Sequence, residues 1–317
     1  MSDLKVLEPN GFPVLFYKKY WPIVGETVIN VVISFFEVGR LPSKVNSYLI
    51  VLIPKIDNPC SLNNYRPISL CNVVYEIISK LLVSKLRTVL HKLISPCQSA
   101  FIHNKWIAEN QVIVQEMLHS FKARKMKEGL MAIKLDLQKA YDKVNWSFIK
   151  VVLIKFGFNE VFINWIMEYI TSVSFEVLIN GGKLENFKAE RGLRQGDHLS
   201  PYIFILGQEI FSRLLEKEFR HHNISGVKAS VGGPVITHVM YADDIVLFSK
   251  ACRREAATIN QCLETYCNWS GQSLNRTKSG VFFSKNCQKQ KCREIKKILQ
   301  MKGLKKDYIF RCPIVSF

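Results

Sequence analysis

Three aspartates lie next to strongly apolar stretches, which is uncommon for charged side chains. Asp243 and Asp244 interrupt the apolar run Val239–Phe248, and Asp136 directly follows the apolar run Leu130–Leu135. Two adjacent carboxylates at the tip of a hairpin repel each other unless a cation neutralises them. Carboxylate oxygens are the hard ligands that Mg²⁺ prefers. The three acids therefore indicate a site for divalent cations.

This chemistry requires the acids to converge. If the two apolar runs are neighbouring strands, Asp136 and Asp243 meet at one edge of a sheet. Two Mg²⁺ ions ~4 Å apart can activate a 3′-hydroxyl and stabilise a leaving pyrophosphate. Each acid also has a simpler explanation, a helix N-cap at Asp136 and an acidic surface turn at Asp243-Asp244. A plain turn more often carries Asn-Gly or Asp-Gly, however, because a positive φ favours glycine.

The elements that must position these acids follow from the spacing of apolar residues. The predicted helices are Trp21–Phe36, Val73–Leu90, Ile107–Phe121, Trp146–Phe156, Ser200–Phe219 (with Ser200 as N-cap) and Ala256–Trp269. The predicted strands are Tyr48–Pro54, Leu130–Leu135, Phe175–Ile179, Leu184–Phe187, Val239–Tyr241 and Ile245–Phe248. Hairpins, rather than regular βαβ units, indicate an α+β fold.

The charge balance points to a polyanionic partner. The 317 residues carry a formal net charge of +18, and the apolar fraction of 48% excludes wholesale disorder. Nucleic acid is the first candidate partner and an anionic membrane surface the second. The segment Arg276–Phe317 has 12 basic and 2 acidic residues, 12 − 2 = +10. It is either a nucleic-acid-facing surface or a solvated basic helix face.

Cysteine usage and the N-terminus suggest a reducing, intracellular location, in the nucleus or the cytoplasm. The nine cysteines are an odd number, and the first residues lack the apolar core of a signal peptide. The longest apolar stretches are too short for a membrane helix, which predicts no membrane partner. Cys262/Cys267 and Cys287/Cys292 could form a zinc cluster, but their spacing fits free thiols better.

An ordered series of short motifs runs along the chain. The motifs are Leu52-Ile53-Pro54-Lys55, Tyr65-Arg66-Pro67-Ile68-Ser69-Leu70, Gln98-Ser99-Ala100-Phe101, Lys134-Leu135-Asp136 with Lys139-Ala140-Tyr141-Asp142, Gly192-Leu193-Arg194-Gln195-Gly196-Asp197 with Leu199-Ser200-Pro201, Tyr241-Ala242-Asp243-Asp244, and Thr277-Lys278-Ser279. In order and spacing they resemble the reverse transcriptases of non-LTR (LINE-type) retrotransposons, and plant elements most closely.

The resemblance implies a right-hand polymerase fold, with helical fingers and an antiparallel palm sheet flanked by helices. It places fingers at residues 1–128 and a palm with the catalytic motifs at 129–285. Residues 286–317 would be a basic segment that begins a truncated thumb or connection. A thumb that is missing or incomplete would limit processivity.

The resemblance also assigns roles to the acids. Asp136 and Asp243 would bind two Mg²⁺ ions, for which Mn²⁺ could substitute, and Asp244 would complete the site. Lys278 would lie near the triphosphate as a positive charge or an acid. Asp142 matches the family as well, but we interpret it as structural, hydrogen-bonding the turn after Asp136.

Substrate contacts are implied for five further residues. Tyr141 would lie under the incoming sugar, where its ring collides with a 2′-hydroxyl and selects deoxynucleotides. Gln195 and Gly196 would approach the pair of template base and nucleotide, and glycine permits a close approach. Arg66 and Lys55 would clamp the triphosphate, Arg66 through its planar fork.

Three positions depart from the family pattern. His198 stands where the family has proline, Asn104-Lys105 where it usually has Gly-Arg, and Asn10 where it usually has Asp. Losing the proline loosens the loop that carries His198 and adds a titratable ring. Together these changes resemble the drift of an element that is no longer selected for activity.

The first hypothesis is an RNA-directed DNA polymerase core that extends a DNA primer with deoxynucleoside triphosphates on an RNA template. The second is a catalytically inactive remnant that only binds nucleic acid, in a salt-sensitive way. A group II intron-type maturase is a third, weaker interpretation, since it needs a further domain after the palm. The oligomeric state does not follow from the sequence.

Overall fold

The computed structural model describes residues 12–42, 45–123, 129–179 and 182–304. These residues form nine α-helices: α1 (Val14–Lys19), α2 (Trp21–Val38), α3 (Val73–Leu93), α4 (Ile107–Ala123), α5 (Trp146–Lys155), α6 (Glu160–Thr171), α7 (Ser200–Arg220), α8 (Arg253–Ser270) and α9 (Lys289–Leu299). They also form twelve strands: β1 (Ser47–Pro54), β2 (Tyr65–Leu70), β3 (Leu130–Leu135), β4 (Ser174–Ile179), β5 (Gly182–Lys183), β6 (Phe187–Lys188), β7 (Val227–Lys228), β8 (Val235–Ile236), β9 (His238–Tyr241), β10 (Asp244–Lys250), β11 (Gly280–Phe283) and β12 (Lys302–Gly303). The predicted α+β fold is confirmed.

The chain divides into two compact units, and each is built from two separate stretches. The first unit comprises Met1–Thr88 and Trp146–Ile203, and the second comprises Val89–Asn145 and Phe204–Phe317. The sequence boundaries at 128/129 and 285/286 describe fingers, palm and C-terminal segment instead, and they stay a prediction.

The first unit contains a five-stranded sheet in the order β2-β1-β4-β5, with β6 also paired to β4. Strand β1 runs antiparallel to β2 and parallel to β4. The predicted hairpin after Phe175 is present, because β4 pairs with both β5 and β6. The turn residues Asn180 and Gly181 lie outside the described residues.

Helix α2 corrects one expectation from the sequence. Of the described residues, Trp21–Val38 form one helix that is long and apolar enough to cross a membrane, with a mean hydropathy of 1.4 and 22% of the segment buried. The sequence had predicted no apolar stretch long enough to cross a membrane. Length and composition alone do not separate a spanning helix from a core helix or a signal sequence, since all three need the same apolar surface.

The second unit is organised around a five-stranded sheet in the order β12-β11-β3-β10-β9. Its central strand β3 is buried except at half-buried Lys134, which explains why its other five residues are all apolar rather than alternating with polar ones. Met117 and Leu118 of α4 pack in one core cluster with Ala132 of β3 and with Val246 and Phe248 of β10. Truncating such a side chain to alanine costs about 2–5 kcal/mol.

His238, the first residue of β9, is buried in this unit and gives its stability a pH dependence. Its ring nitrogens contact the hydroxyls of Ser212 and Thr237 at 2.7 and 2.8 Å. Burial lowers the pKa of His238 from 6.5 to about 4, and Glu216 opposes this slightly.

We expect the free energy of unfolding to fall as the pH drops from about 6.5 to about 4, because over this range the unfolded chain takes up a proton at His238 that the folded chain excludes. The loss attributable to His238 is roughly 3 kcal/mol. Denaturant unfolding at several pH values measures it. His238→Gln should flatten this part of the profile, whereas the exposed His221→Gln should not; equal profiles for both variants would contradict the assignment.

Candidate active site

The register of the second unit's sheet brings the three acids to one end. Strand β10 pairs antiparallel with β3, with Ile245 opposite Leu135. Asp136 is the next residue after Leu135, and Asp244 is the residue before Ile245. Asp243 lies in the two-residue turn that joins β9 to β10, since Asp244 pairs with Tyr241. The predicted convergence of Asp136 and Asp243 is therefore observed, at one end of two neighbouring interior strands rather than at an edge strand of the sheet.

The electrostatics of the site reflect this closeness. The pKa of Asp243 is raised, first because the surrounding protein desolvates its carboxyl group and then because the Asp136 carboxylate lies nearby, although a backbone hydrogen bond opposes the rise. Negative charges held together in this way are stabilised by a bound cation.

The donor set fits a hard divalent cation. The described ranges contain no group of three or more His, Cys, Asp or Glu side chains that could hold a metal ion, so a third protein ligand is not part of this fit. The fit therefore rests on the carboxyl oxygens of Asp136 and Asp243, with Asp244 beginning the next strand. Oxygen ligands of this type suit Mg²⁺ or Mn²⁺.

The turn that carries Asp243 is strained. Ala242 has φ +51°, in the left-handed region. That region costs a residue with a Cβ roughly 1–2 kcal/mol. Strain of this kind persists only where the surrounding structure enforces it.

Gln98 is the residue that holds Ala242. Its buried side-chain Oε1 accepts the backbone N–H of Ala242 at 3.1 Å and that of Ala100 at 2.9 Å. The backbone at Gln98 also bridges to Met240 of β9, since Ser99 N–H donates to the Met240 carbonyl and Met240 N–H to the Cys97 carbonyl. The sequence matched Gln98 to the family but gave it no role.

Two further side chains brace the same loop. Asn110 of α4 donates from Nδ2 to the Met240 carbonyl at 2.8 Å and to Ser99 Oγ at 2.6 Å. Lys105 Nζ lies within 3.4 Å of three backbone carbonyls, those of Ser95, Pro96 and Gln98.

The departures at Asn104-Lys105 suit this geometry. Asn104 has φ +62°, a conformation that glycine adopts freely and asparagine tolerates. Lys105, in place of the usual arginine, provides donors to backbone carbonyls. Both substitutions therefore preserve the local structure, which weakens the interpretation of drift. Asn10 lies outside the described residues.

Tyr141 lies beside the acids. Its ring stacks on Phe204, with centroids 4.7 Å apart and planes 12° from parallel. Burial raises the pKa of Tyr141, and the charge of Asp243 adds to the rise, which places the two side chains within electrostatic reach. The preceding carbonyl, of Ala140, accepts a hydrogen bond from Gln272 at 2.7 Å.

Lys278 stands in a turn that holds the backbone of Asp136. The Asp136 N–H donates to Ser279 Oγ at 3.0 Å, and the Asp136 carbonyl accepts from Asn275 N–H at 2.8 Å. Lys278 N–H in turn donates to the Asn275 carbonyl, and its side chain is exposed. After Asp136, Asp142 N–H donates to the Lys139 carbonyl, in line with a structural turn.

The other predicted site residues, Lys55, Arg66, Gln195 and Gly196, belong to the first unit. Ile53 lies directly opposite Arg66 in the β1–β2 pair. Lys55 directly follows β1, and its N–H donates to the Asn64 carbonyl at 2.7 Å, so Lys55 and Arg66 lie near the same end of the hairpin. Both are exposed.

The loop with Gln195 and Gly196 lies beside β2. Ser69 N–H contacts the Gln195 carbonyl at 3.4 Å. Gly196 has φ +96°, and a Cβ there would meet the Ser69 carbonyl at 3.6 Å, an ordinary contact. Backbone conformation, rather than lack of space, therefore requires the glycine.

Arg194 directly precedes Gln195 and anchors this loop through its buried side chain. The sequence analysis quoted it within a motif but assigned it no role. Its buried guanidinium lies 4.6–4.8 Å from the ring centroids of Tyr48, Tyr75 and Tyr169. It also donates to Tyr48 Oη at 2.7 Å and to the Tyr169 carbonyl. Cation–π contacts in a desolvated site are worth ~2 kcal/mol or more.

Asp197 anchors the other end of the loop. Its carboxylate accepts from Ser79 Oγ at 2.8 Å, from Tyr169 Oη at 2.5 Å and from the backbone N–H of Ser200 at 3.0 Å. Ser200, which was predicted as the N-cap of α7, is therefore the first residue of the helix. The side chain of Asp197 caps the helix instead. His198 Nε2 lies 4.0 Å from the carboxylate of buried Glu76.

The zinc alternative gains no support from the described part of the chain, which contains no metal-binding cluster of cysteines. The eight described cysteines are free thiols. Burial raises the pKa of Cys262 to about 11.

The sequence is similar to those of known proteins. The family model described as "Reverse transcriptase (RNA-dependent DNA polymerase)" matches residues 53–301. The chain is 27% identical over 270 residues to the transposon TX1 uncharacterized 149 kDa protein of Xenopus laevis, covering 85% of this chain and 20% of that protein. It is 27% identical over 255 residues to the Pol polyprotein of the retrotransposable element R2DM of Drosophila melanogaster, covering 80% and 23%.

The fold resembles that of telomerase from Candida tropicalis in complex with a fragment of telomeric RNA. The TM-score is 0.53 at 14% identity, over 83% of this chain and 45% of that one. At this identity the likeness concerns the fold alone. The chain spans about a fifth of the length of the first two curated relatives.

Replacing Gln98 tests the support of the strained turn. We expect Gln98→Met to lower the free energy of unfolding by about 1–3 kcal/mol, because two buried N–H donors lose their acceptor. Amide hydrogen exchange at Ala242 should also accelerate.

Gln208→Met is the matched control. Gln208 is equally buried in the same unit, yet neither of its amide atoms has a hydrogen-bond partner in the described chain. Its replacement should be neutral or stabilising. Equal destabilisation by the two variants, with unchanged exchange at Ala242, would refute the role given to Gln98.

Proposed function

The chain belongs to the reverse transcriptase (RNA-dependent DNA polymerase) family, and from that membership we propose that it adds deoxynucleotides to a primer 3′-end on an RNA template. The observation that carries the proposal is the β3–β10 register, which gathers Asp136, Asp243 and Asp244 at one sheet end with Tyr141 alongside. The non-LTR retrotransposon relatives support the same activity.

In this proposal Asp136 and Asp243 hold two Mg²⁺ ions and Asp244 completes the acidic site. When bound, such ions lower the pKa of a primer hydroxyl and stabilise the charge on the departing pyrophosphate. The raised pKa of Asp243 supports cation binding, since a nearby cation relieves both causes of the rise. Gln98 keeps the Asp243 turn in place, so the carboxylates need no reorganisation during the reaction.

In the first unit, Arg66 and Lys55 would bind the triphosphate. Arg66 and Lys55 lie near the same end of the β1–β2 hairpin and are exposed to an incoming anion. Arg66 offers a bidentate fork to phosphate oxygens. In the second unit, Lys278 stands in the turn that fixes Asp136 and would supply a positive charge near the acids.

Template placement is assigned to Gln195 and Gly196. Arg194 and Asp197 on either side are buried and hydrogen-bonded, so the two residues between them are displayed by a rigid base. Preorganisation of this kind reduces the ordering cost of binding. We propose that an RNA template and a DNA primer are the partners, with deoxynucleoside triphosphates as substrates.

Primer extension tests the proposal. With Mg²⁺, a DNA primer annealed to RNA should be extended by the parent chain, and Asp243→Asn should reduce the rate by on the order of a thousandfold, ~4 kcal/mol, because a metal ligand is lost. Glu160→Gln, which removes an exposed carboxylate on α6, should leave the rate unchanged. Nucleic-acid binding without extension by any variant would favour the inactive remnant.

Tyr141 is expected to set the sugar preference. Tyr141→Val should raise the relative efficiency of ribonucleotide incorporation by roughly 10–100-fold, because the space for a 2′-hydroxyl opens next to Phe204. Tyr141→Phe keeps the ring and should retain discrimination. The ratio of kcat/KM values for a ribonucleotide and its deoxynucleotide measures the effect. An unchanged ratio in the valine variant would exclude a steric role.

A further inference from the structure

Helix α9 carries a row of cations that the proposed reaction does not use. Lys289, Arg293 and Lys297 follow each other at intervals of four residues and are all exposed. Four residues of α-helix rise ~6 Å and advance little more than one turn, so the three side chains form one stripe. Ile295 and Leu299 are buried on the opposite face.

The stripe is unneutralised within the described residues. None of its three side chains has a hydrogen bond or ion pair there, whereas the neighbouring acid is fully engaged. Glu294 pairs with Arg253 of α8 through two contacts, at 2.7 and 2.5 Å. Hydrogen bonding to Arg253 lowers the pKa of Glu294, so this carboxylate stays ionised and its charge is cancelled locally.

The chain returns from α9 to the acid-bearing end of the sheet. Lys302 of β12 pairs with Gly280 of β11, and Gly280 pairs with Lys134 of β3, two residues before Asp136. Arg276 fastens the C-terminal end of the helix by donating to the Leu299 carbonyl. The helix that carries the stripe is therefore fixed at its C-terminal end to the unit whose sheet presents the acids.

We propose that the α9 stripe, Lys289, Arg293 and Lys297, binds the sugar-phosphate backbone of a nucleic-acid strand. Its length of ~12 Å spans roughly three to four phosphates at the 3.4 Å axial rise per charge of one strand. Evenly spaced cations without base-reading side chains suit a contact that positions a strand without reading its sequence. The inference rests on the proposed function only in taking nucleic acid as the ligand.

The salt dependence of binding tests this contact. We would titrate a labelled RNA–DNA hybrid in EDTA over a series of KCl concentrations. Replacing all three residues (Lys289→Gln, Arg293→Gln and Lys297→Gln) should reduce the magnitude of the slope of log K against log salt by roughly 2–3. With each phosphate contact that is lost, fewer counterions leave the nucleic acid on binding.

The matched control replaces three other exposed cations, on α3 and α5: Lys85→Gln, Lys150→Gln and Lys155→Gln. It removes the same net charge, so a general field effect would alter both proteins equally. Thermal melting checks that both are folded. Equal slopes for the two variants, or no change in the stripe variant, would overturn the proposal.

Two further arms separate the alternatives. If the stripe variant loses binding to phosphatidylserine vesicles while keeping its affinity for the hybrid, the stripe is a membrane contact and the proposal fails. The titration is repeated with Asp243→Asn added to the parent protein and to the stripe variant. Because EDTA removes divalent ions, the slopes should persist there, so a failed polymerase assay leaves this result unaffected.

Discussion

The antiparallel pairing of β3 with β10 is the constraint on which the site depends. The pairing of Leu135 with Ile245 fixes the position of Asp136 relative to the turn that carries Asp243. Because side chains alternate between faces, a slip of one residue would reverse the face of every side chain along β10. The buried apolar residues on both sides of β3 exclude that slip, so packing in the core determines the spacing of charges at the edge.

This arrangement has a local energetic cost, and hydrogen-bonding side chains offset part of it. Like charges repel at the sheet end, and Ala242 adopts a backbone conformation that alanine disfavours. Gln98 holds the Ala242 backbone by a hydrogen bond, and Asn110 and Lys105 hold the neighbouring backbone at Met240 and Gln98. The first unit uses the same principle, since Arg194 and its three tyrosines support a loop that must itself stay accessible.

Much of this could be predicted from the sequence because it is encoded locally. The strands around Asp243-Asp244 follow from continuous apolar runs, and the series of motifs indicated both fold and family. The supporting contacts are not local: Gln98 is 144 residues from Ala242. Helix α9 was missed because so few of its residues are apolar, although its basic charge was noted. Helix α2 was predicted as Trp21–Phe36, but it was not recognised as long and apolar enough to cross a membrane, because only shorter continuous apolar runs were considered.

The interleaved order of the two units has a consequence for synthesis. Strand β3 leaves the ribosome about 110 residues before its partner β10, which at ~5–20 residues per second is a delay of roughly 5–20 s. Throughout that time β3, which will be buried almost throughout, lacks its partner β10, and the second unit cannot close. Such an edge invites association with other chains. Newly made protein is therefore exposed to association through β3 until β10 has been synthesised.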